Sequence, residues 1–288
     1  MRNLLLKFAA QAARSLPESW IRAIYRRPRL AGLIRSRLNR AAPHGLTQVQ
    51  IAAGSLQGYT LELDLQTEKD YWLGVYEPNL QQAIQDLIQP GQVVYDVGAN
   101  VGYITLSLAK AASITGHVYA FEALPDNFAR VQKNIQLNSL QQGITPVHAA
   151  VIEASHPVTF LVGPSNGMGK VSGSAGRQEV VYAQSLMVPG LSLDDYVYLH
   201  GNPAPQVVKV DIEGGEVLAL PGMRRILHTV HPLLLLELHG PESAQAARAI
   251  LTDAGYRLYS MTPGYPEVPA DEPLDWKAYL IARWTPPS

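Results

Sequence analysis

VVYDVGANVGYITLSLAKAA, residues 93–112, decides the fold. An apolar run carrying Asp96 is followed by Gly98 and Gly102, then by apolar residues at helical spacing. Strand, turn and helix in that order open a doubly wound α/β sheet, whose ligands bind beyond the carboxyl ends of its strands. The G-A-N-V-G spacing is not the G-x-G-x-x-G of a dinucleotide site, and a phosphate loop's Gly-Lys-Ser/Thr is missing. A carboxylate just before the glycines also disfavours a pyrophosphate at the helix start. Asp96 suits a ligand with a positive amino group. Glu122, closing the next strand in VYAFEA, suits both hydroxyls of a ribose. An ammonium, a free ribose, no phosphate and a glycine-lined approach describe S-adenosylmethionine. Asp96, Gly98, Asn100, Gly102 and Glu122 are therefore the expected cofactor contacts. His148, ending the third strand near the expected adenine, and Glu77, in VYEPN as a cap or part of a cofactor lid, join them.

Outward from this stretch, strands and helices alternate. HVYAFEA precedes a helix over 125–138 and a strand near 145–151. QVVKVDI precedes a helix after Gly214; PLLLLEL precedes a helix over 242–254; YRLYSM and AYLIARW follow. Apolar strands alternating with amphipathic helices imply a mostly parallel sheet covered on both faces. Upstream, TQVQIAA and YTLELDL alternate around Gly54 and Gly58 as a hairpin would, and NLQQAIQDLIQPGQ reads as a helix. The expected organisation is a helical extension over 1–45 and one domain over 46–288, with a lead-in over 46–90 and the core over 91–288. Within the core, 156–188 is rich in Gly and Ser and holds two β-like runs, PVTFLV and EVVYAQSLMV. Its GPSNGMGKVSGSAG reads as a flexible loop beside the site, with Lys170 and Arg177 placed to meet an anionic acceptor.

VVYDVGANVGYITLSLA, VYAFEALPDNFARVQKNIQLN, LSLDDYV, VVKVDIEGGEVLALPGM and PLLLLELHG, with YEPN before them, resemble FkbM-family methyltransferases over roughly residues 70–260. The resemblance implies a class I, Rossmann-like sheet of seven strands with the last reversed. It also implies methyl transfer to oxygen, on hydroxyls of glycans, glycolipids or polyketide products.

In such a sheet the fourth and fifth strands are neighbours. VDIEGGE and LELHG then bring Asp211, Glu213, Glu237 and His239 to one cleft as the candidate catalytic set. Each pair is two residues apart and so falls on one side of its strand. His239 has the unperturbed pKa of a base, and the carboxylates suit a sugar's hydroxyls. Glu216 starts the following helix and reads as favouring its dipole. Ser192 and Asp195 read as a capping box. The same acids and histidine could take a hard metal, but no spacing demands one and an obligatory metal is not expected. The competing readings are an N-methyltransferase of another small molecule and a non-catalytic protein that binds S-adenosylmethionine. D-I-E-G stands where base-methylating enzymes carry Asn/Asp-Pro-Pro-aromatic.

Charge is segregated. Residues 1–40 hold ten Lys/Arg and one acid, Glu18, for a net +9; the remainder holds 13 basic and 23 acidic residues, for −10. The acidic main domain argues against a nucleic-acid partner. There is no cysteine, which removes disulfides and thiolate chemistry. No run of eighteen apolar residues spans a membrane, and no signal peptide is read. Pro17 and Pro28 divide the basic stretch into three short amphipathic helices, which point to a cytoplasmic enzyme with peripheral contact at the inner membrane surface.

Overall fold

The computed structural model describes residues 2–15, 27–163, 168–177 and 179–286. The helical piece expected between Pro17 and Pro28 lies outside the described residues. Two compact units emerge: residues 1–78 with 136–138, and 79–135 with 139–288.

The first unit holds α1 (Arg2–Ser15), α2 (Pro28–Ala41), the hairpin β1 (Leu46–Gln50) and β2 (Thr60–Asp64), and α3 (Lys69–Leu73). The hairpin strands pair antiparallel from Leu46↔Asp64 to Gln50↔Thr60. Leu61 and Leu63 are buried while Thr60, Glu62 and Asp64 are less so, the alternation of a one-sided strand.

The second unit begins with α4, which runs Pro78–Leu87 from the boundary, and continues through β3 (Val93–Val97), α5 (Tyr103–Ala112), β4 (His117–Glu122), α6 (Pro125–Leu137) and β5 (Ile144–His148). Short strands β6 (Ala150–Val151), β7 (Val158–Val162), β8 (Lys170–Val171), β9 (Gln184–Val188) and β10 (Gly190–Leu191) follow. The chain then runs through β11 (Val207–Val210), α7 (Glu216–Ala219), α8 (Arg224–Thr229), β12 (Leu233–His239), α9 (Pro241–Asp253), β13 (Tyr256–Ser260) and β14 (Lys277–Trp284).

Seven of these strands form one sheet in the order β13-β14-β12-β11-β3-β4-β5. All run parallel except β14, which is antiparallel to both β12 and β13. Strand order reverses between β3 and β11. Loops leaving the carboxyl ends of those two strands therefore diverge and open a crevice. The β-like runs of 156–188 stay out of this sheet: β8, β7 and β9 make a separate antiparallel one.

The central strands are buried on both faces, as their continuous apolar runs require. Against one face Tyr95, Phe121 and Tyr196 pack edge to face at centroid separations of 5.1–5.8 Å, within the favoured range for aromatic pairs. Pro221 allows no long helix after Gly214, so that segment breaks into short turns before α8. Asp194 carries a structural role: both its oxygens accept N–H bonds, from Arg225 and Ile226, at the start of α8. Ser192 Oγ accepts from Asp195 N at 3.2 Å, as a capping residue does.

Candidate active site at the strand ends

The turn from β3 to α5 has little freedom. Gly98 has φ +84, and a Cβ there would lie 2.0 Å from the Asp211 carbonyl oxygen. Only glycine lets the ends of β3 and β11 approach so closely. Gly102 (φ +88) precedes α5 with no side chain capping the helix start, so that end stays open.

Glu122 ends β4 beside this turn, 7% exposed. Its Oε2 accepts from Asn100 N and its Oε1 from Leu124 N, each at 2.8 Å. Both oxygens are thus fixed in direction, and each keeps a lone pair for a further donor. Burial pushes this carboxyl up to about 7, against the backbone donors that favour its ionised form. His148 is opposite Glu122 in the β4–β5 register. It is held by the Ala123 carbonyl oxygen at 3.0 Å and stacks on Phe128 at 4.9 Å. Glu77 lies in the first unit, with φ +42.

Asp96 lies beneath this turn. Its side chain is fully buried; Thr105 Oγ1 donates to Oδ2 at 2.6 Å and Lys209 Nζ lies 3.2 Å from Oδ1. The carboxylate therefore braces the turn from beneath. Lys209 was missed by the motif reading, although a lysine inside the apolar run QVVKVDI requires a buried partner. It sits opposite Asp96 in the β3–β11 register, donates to the Gly98 carbonyl at 2.8 Å and stands 3.9 Å from Asp211.

The four candidate catalytic residues do converge. His239 Nε2 lies 3.0 Å from Glu237 Oε1, 3.7 Å from Glu213 Oε2 and 4.0 Å from Asp211 Oδ1. Asp211 and Glu213 are 20% and 27% exposed at their side chains, whereas His239 and Glu237 are 1% and 4%. Two acids thus reach the cleft and the other pair stands behind them. Glu213 has φ +53, costly for a residue with a Cβ, at the edge of that cleft.

Glu216 does more than complement a helix dipole. Fully buried, it accepts at Oε1 from Ile212 N and faces His239 Nδ1 at 3.3 Å, while Ser243 Oγ donates to Oε2. It orients the imidazole. Lys277, opposite His239 in the β12–β14 register, pairs with Glu237 Oε1. No local pattern marks Lys277, because only the reversed last strand delivers it.

These surroundings redistribute protons. Burial pushes the Asp211 carboxyl up to about 7, outweighing the pull of Lys209. Burial opposes ionisation of Glu237 too, but His239 and Lys277 hold it down at about 2. For His239, burial disfavours the charged ring, yet Glu216, Glu237 and Asp211 together raise it to about 10. The carboxylates around the ring thus set His239 above the ordinary imidazole value.

The Gly/Ser-rich loop docks here through its described part. Ala175 N donates to the Gly214 carbonyl at 3.0 Å. Lys170 is buried and donates to the carbonyls of Ala175 and Arg177, so it braces the loop instead of facing an acceptor. Arg177 is exposed and lies over the Trp276 ring at 5.3 Å, and that ring meets His239 edge-on at 5.9 Å.

Residues 96–258, more than half of the chain, match the methyltransferase FkbM domain. The chain belongs to the FkbM methyltransferase family. Its cofactor is S-adenosylmethionine, and the fixed oxygens of Glu122, the glycine turn and the open α5 start fit that group. The hexuronic acid methyltransferase AglP of Haloferax volcanii is 28% identical over 204 residues, covering 69% of this chain and 79% of AglP. The AMB antimetabolite synthetase AmbE of Pseudomonas aeruginosa is 24% identical over 245 residues, covering 67% of this chain but 11% of AmbE. Among solved structures, the FkbM methyltransferase of Methylobacillus flagellatus has a TM-score of 0.45 at 17% identity, covering 76% of this chain and 54% of that one.

Proposed function

We propose that this protein transfers a methyl group from S-adenosylmethionine to a hydroxyl oxygen of a sugar or glycan. The observation that carries the reading is the pair of partly exposed carboxylates, Asp211 and Glu213, at the strand ends beside the β3–β4 cofactor region. When bound, the cofactor supplies an electrophilic methyl on a sulfonium. Glu122 would hold its ribose hydroxyls, the 98–102 turn would receive its methionine portion, and His148 would border its adenine. Asp211 and Glu213 accept hydrogen bonds from the acceptor's hydroxyls. Glu213, the more exposed of the two and 3.7 Å from His239 Nε2, takes the proton as methyl transfer proceeds.

Acidity at this rim selects the acceptor atom. It repels an anionic oxygen, and it holds an amine as ammonium, which has no free lone pair. A neutral hydroxyl suffers neither penalty. AglP acts on hexuronic acid; in this chain the exposed Arg177 on Trp276 would pair with an acceptor's carboxylate at a distance from the reacting hydroxyl.

The test is to incubate the protein with labelled S-adenosylmethionine and uronate-containing or neutral sugars, and to locate the methyl group by mass spectrometry. Glu213→Gln and Asp211→Asn should lower turnover by about 100-fold or more with cofactor affinity unchanged. Product methylated on nitrogen, or parental turnover in both variants, would overturn the assignment.

A further inference from the structure

We propose that Asp211, Glu237 and His239 form a divalent-cation site, reversing the expectation drawn from sequence spacing. One ligand atom from each lies within 4.8 Å of the others. Opposite ligands on an octahedral Mg²⁺ or Mn²⁺ stand about 4.2 Å apart, and adjacent ones about 3 Å. Small side-chain adjustments close the set around such an ion.

Two buried atoms point to a missing partner. Among the described residues, His239 Nε2, on a residue 1% exposed, has no partner in hydrogen-bond geometry, although Glu237 Oε1 lies 3.0 Å away and two further carboxylates face it. Glu237 Oε2 is likewise buried without a partner, its other oxygen being taken by Lys277. Buried polar atoms seldom stay unsatisfied, and an ion within the cluster would satisfy both.

The supporting shell matches. Metal-bound histidines present one nitrogen to the ion and engage the other with a carboxylate or carbonyl. Here Glu216 faces Nδ1, and Ser243 and Ile212 N fix Glu216 in turn. Four carboxylates (Asp211, Glu213, Glu216, Glu237) surround the imidazole beside two ammonium groups, Lys209 and Lys277; a divalent cation bound at Nε2 would take the place of the ring's second proton. Two carboxylate oxygens and one imidazole nitrogen suit Mn²⁺ or Mg²⁺ rather than Ca²⁺, which takes six to eight oxygens. Asp211, partly exposed, opens the site to the cleft. There the ion would also bind acceptor hydroxyls, a role that rests on the methyl-transfer reading.

The test titrates Mn²⁺ into the full-length, chelator-treated protein with neither cofactor nor acceptor, following free Mn²⁺ by electron paramagnetic resonance. Cofactor binding is measured separately, so failure of the methyl-transfer reading leaves this result legible. One Mn²⁺ per chain, displaced by Mg²⁺, is expected. Affinity should fall about tenfold or more in Asp211→Asn and Glu237→Gln, and by roughly 10–100-fold in Glu216→Gln. Asp126→Asn, an exposed acid on α6, should bind as the parent does. No saturable binding to the parental protein up to about 1 mM overturns the proposal. So does parental affinity in both ligand variants when their melting curves show them folded.

Discussion

Glu122 ties the β3–α5 turn to the β4–α6 turn through its oxygens, and in the proposed function they also accept hydrogen bonds from the ribose hydroxyls of the cofactor. Removing it should therefore weaken cofactor binding more than a surface carboxylate would. Glu122→Ala is expected to reduce S-adenosylmethionine affinity by about 1.5–3 kcal/mol, the range for hydrogen bonds to a charged group, read by calorimetry. Its acidity gives a second prediction. The folded carboxyl is pushed up to about 7 from an ordinary 4.5, so the fold favours the neutral form. That contribution to stability is present below 4.5 and lost as pH rises through 7. The cofactor's hydroxyls favour the opposite, ionised form. The rise in melting temperature given by S-adenosylmethionine should thus be larger at pH 8 than at pH 6. A Glu122→Gln variant should show no such dependence. An equal rise at both pH values in the parental protein would remove Glu122 from the cofactor site.

At the scale of elements, β11 is the strand on which both halves of the site depend. Lys209 links Asp96 beneath the cofactor turn to Asp211 at the catalytic rim, and its amine also holds the Gly98 carbonyl. Lys209→Met leaves Asp96 buried opposite an apolar chain, and should destabilise the protein by about 3–5 kcal/mol, measured by urea unfolding. Adding Asp96→Asn should recover part of that loss, because the uncompensated charge is gone. No recovery would show that Lys209 matters through its carbonyl contacts instead. Gly98→Ala should also be poorly tolerated, since its Cβ would enter the space of the Asp211 carbonyl and adopt the left-handed region at about 1–2 kcal/mol. Parental stability and cofactor binding in Gly98→Ala would show that the strand ends can separate.

For the molecule as a whole, the basic start is the feature the methyltransferase match leaves out, since that match begins at residue 96. In α1 and α2, Phe8, Leu33 and Ile34 are exposed, as are Arg29, Arg37 and Arg40. Arg14 donates to the Ala52 carbonyl at 3.0 Å, so part of this charge serves packing within the first unit. Among the described residues no helix is long and apolar enough to cross a membrane. Basic residues near an anionic bilayer contribute roughly 1 kcal/mol each. Liposome sedimentation should show binding that needs anionic lipid, weakens with salt and falls in Arg29→Glu/Arg37→Glu. Equal, negligible binding to neutral and anionic vesicles would leave these helices as a structural cap.

The periodic elements, the β3–α5 turn and the arrival of four ionisable residues at two strand ends are legible along the chain. Each is a local pattern, since glycine spacing and apolar periodicity act within a few residues along the chain. The state of those groups depends on long-range packing. Asp96 is an internal brace because strand pairing sets Lys209 opposite it. Glu216 orients His239 because the turn after β11 folds back against the end of β12. Lys277 reaches Glu237 because the last strand is reversed. Proton affinity and partner choice depend on desolvation and on charges brought together across strands. Such charges stand tens of residues apart in the chain and become neighbours only in the fold.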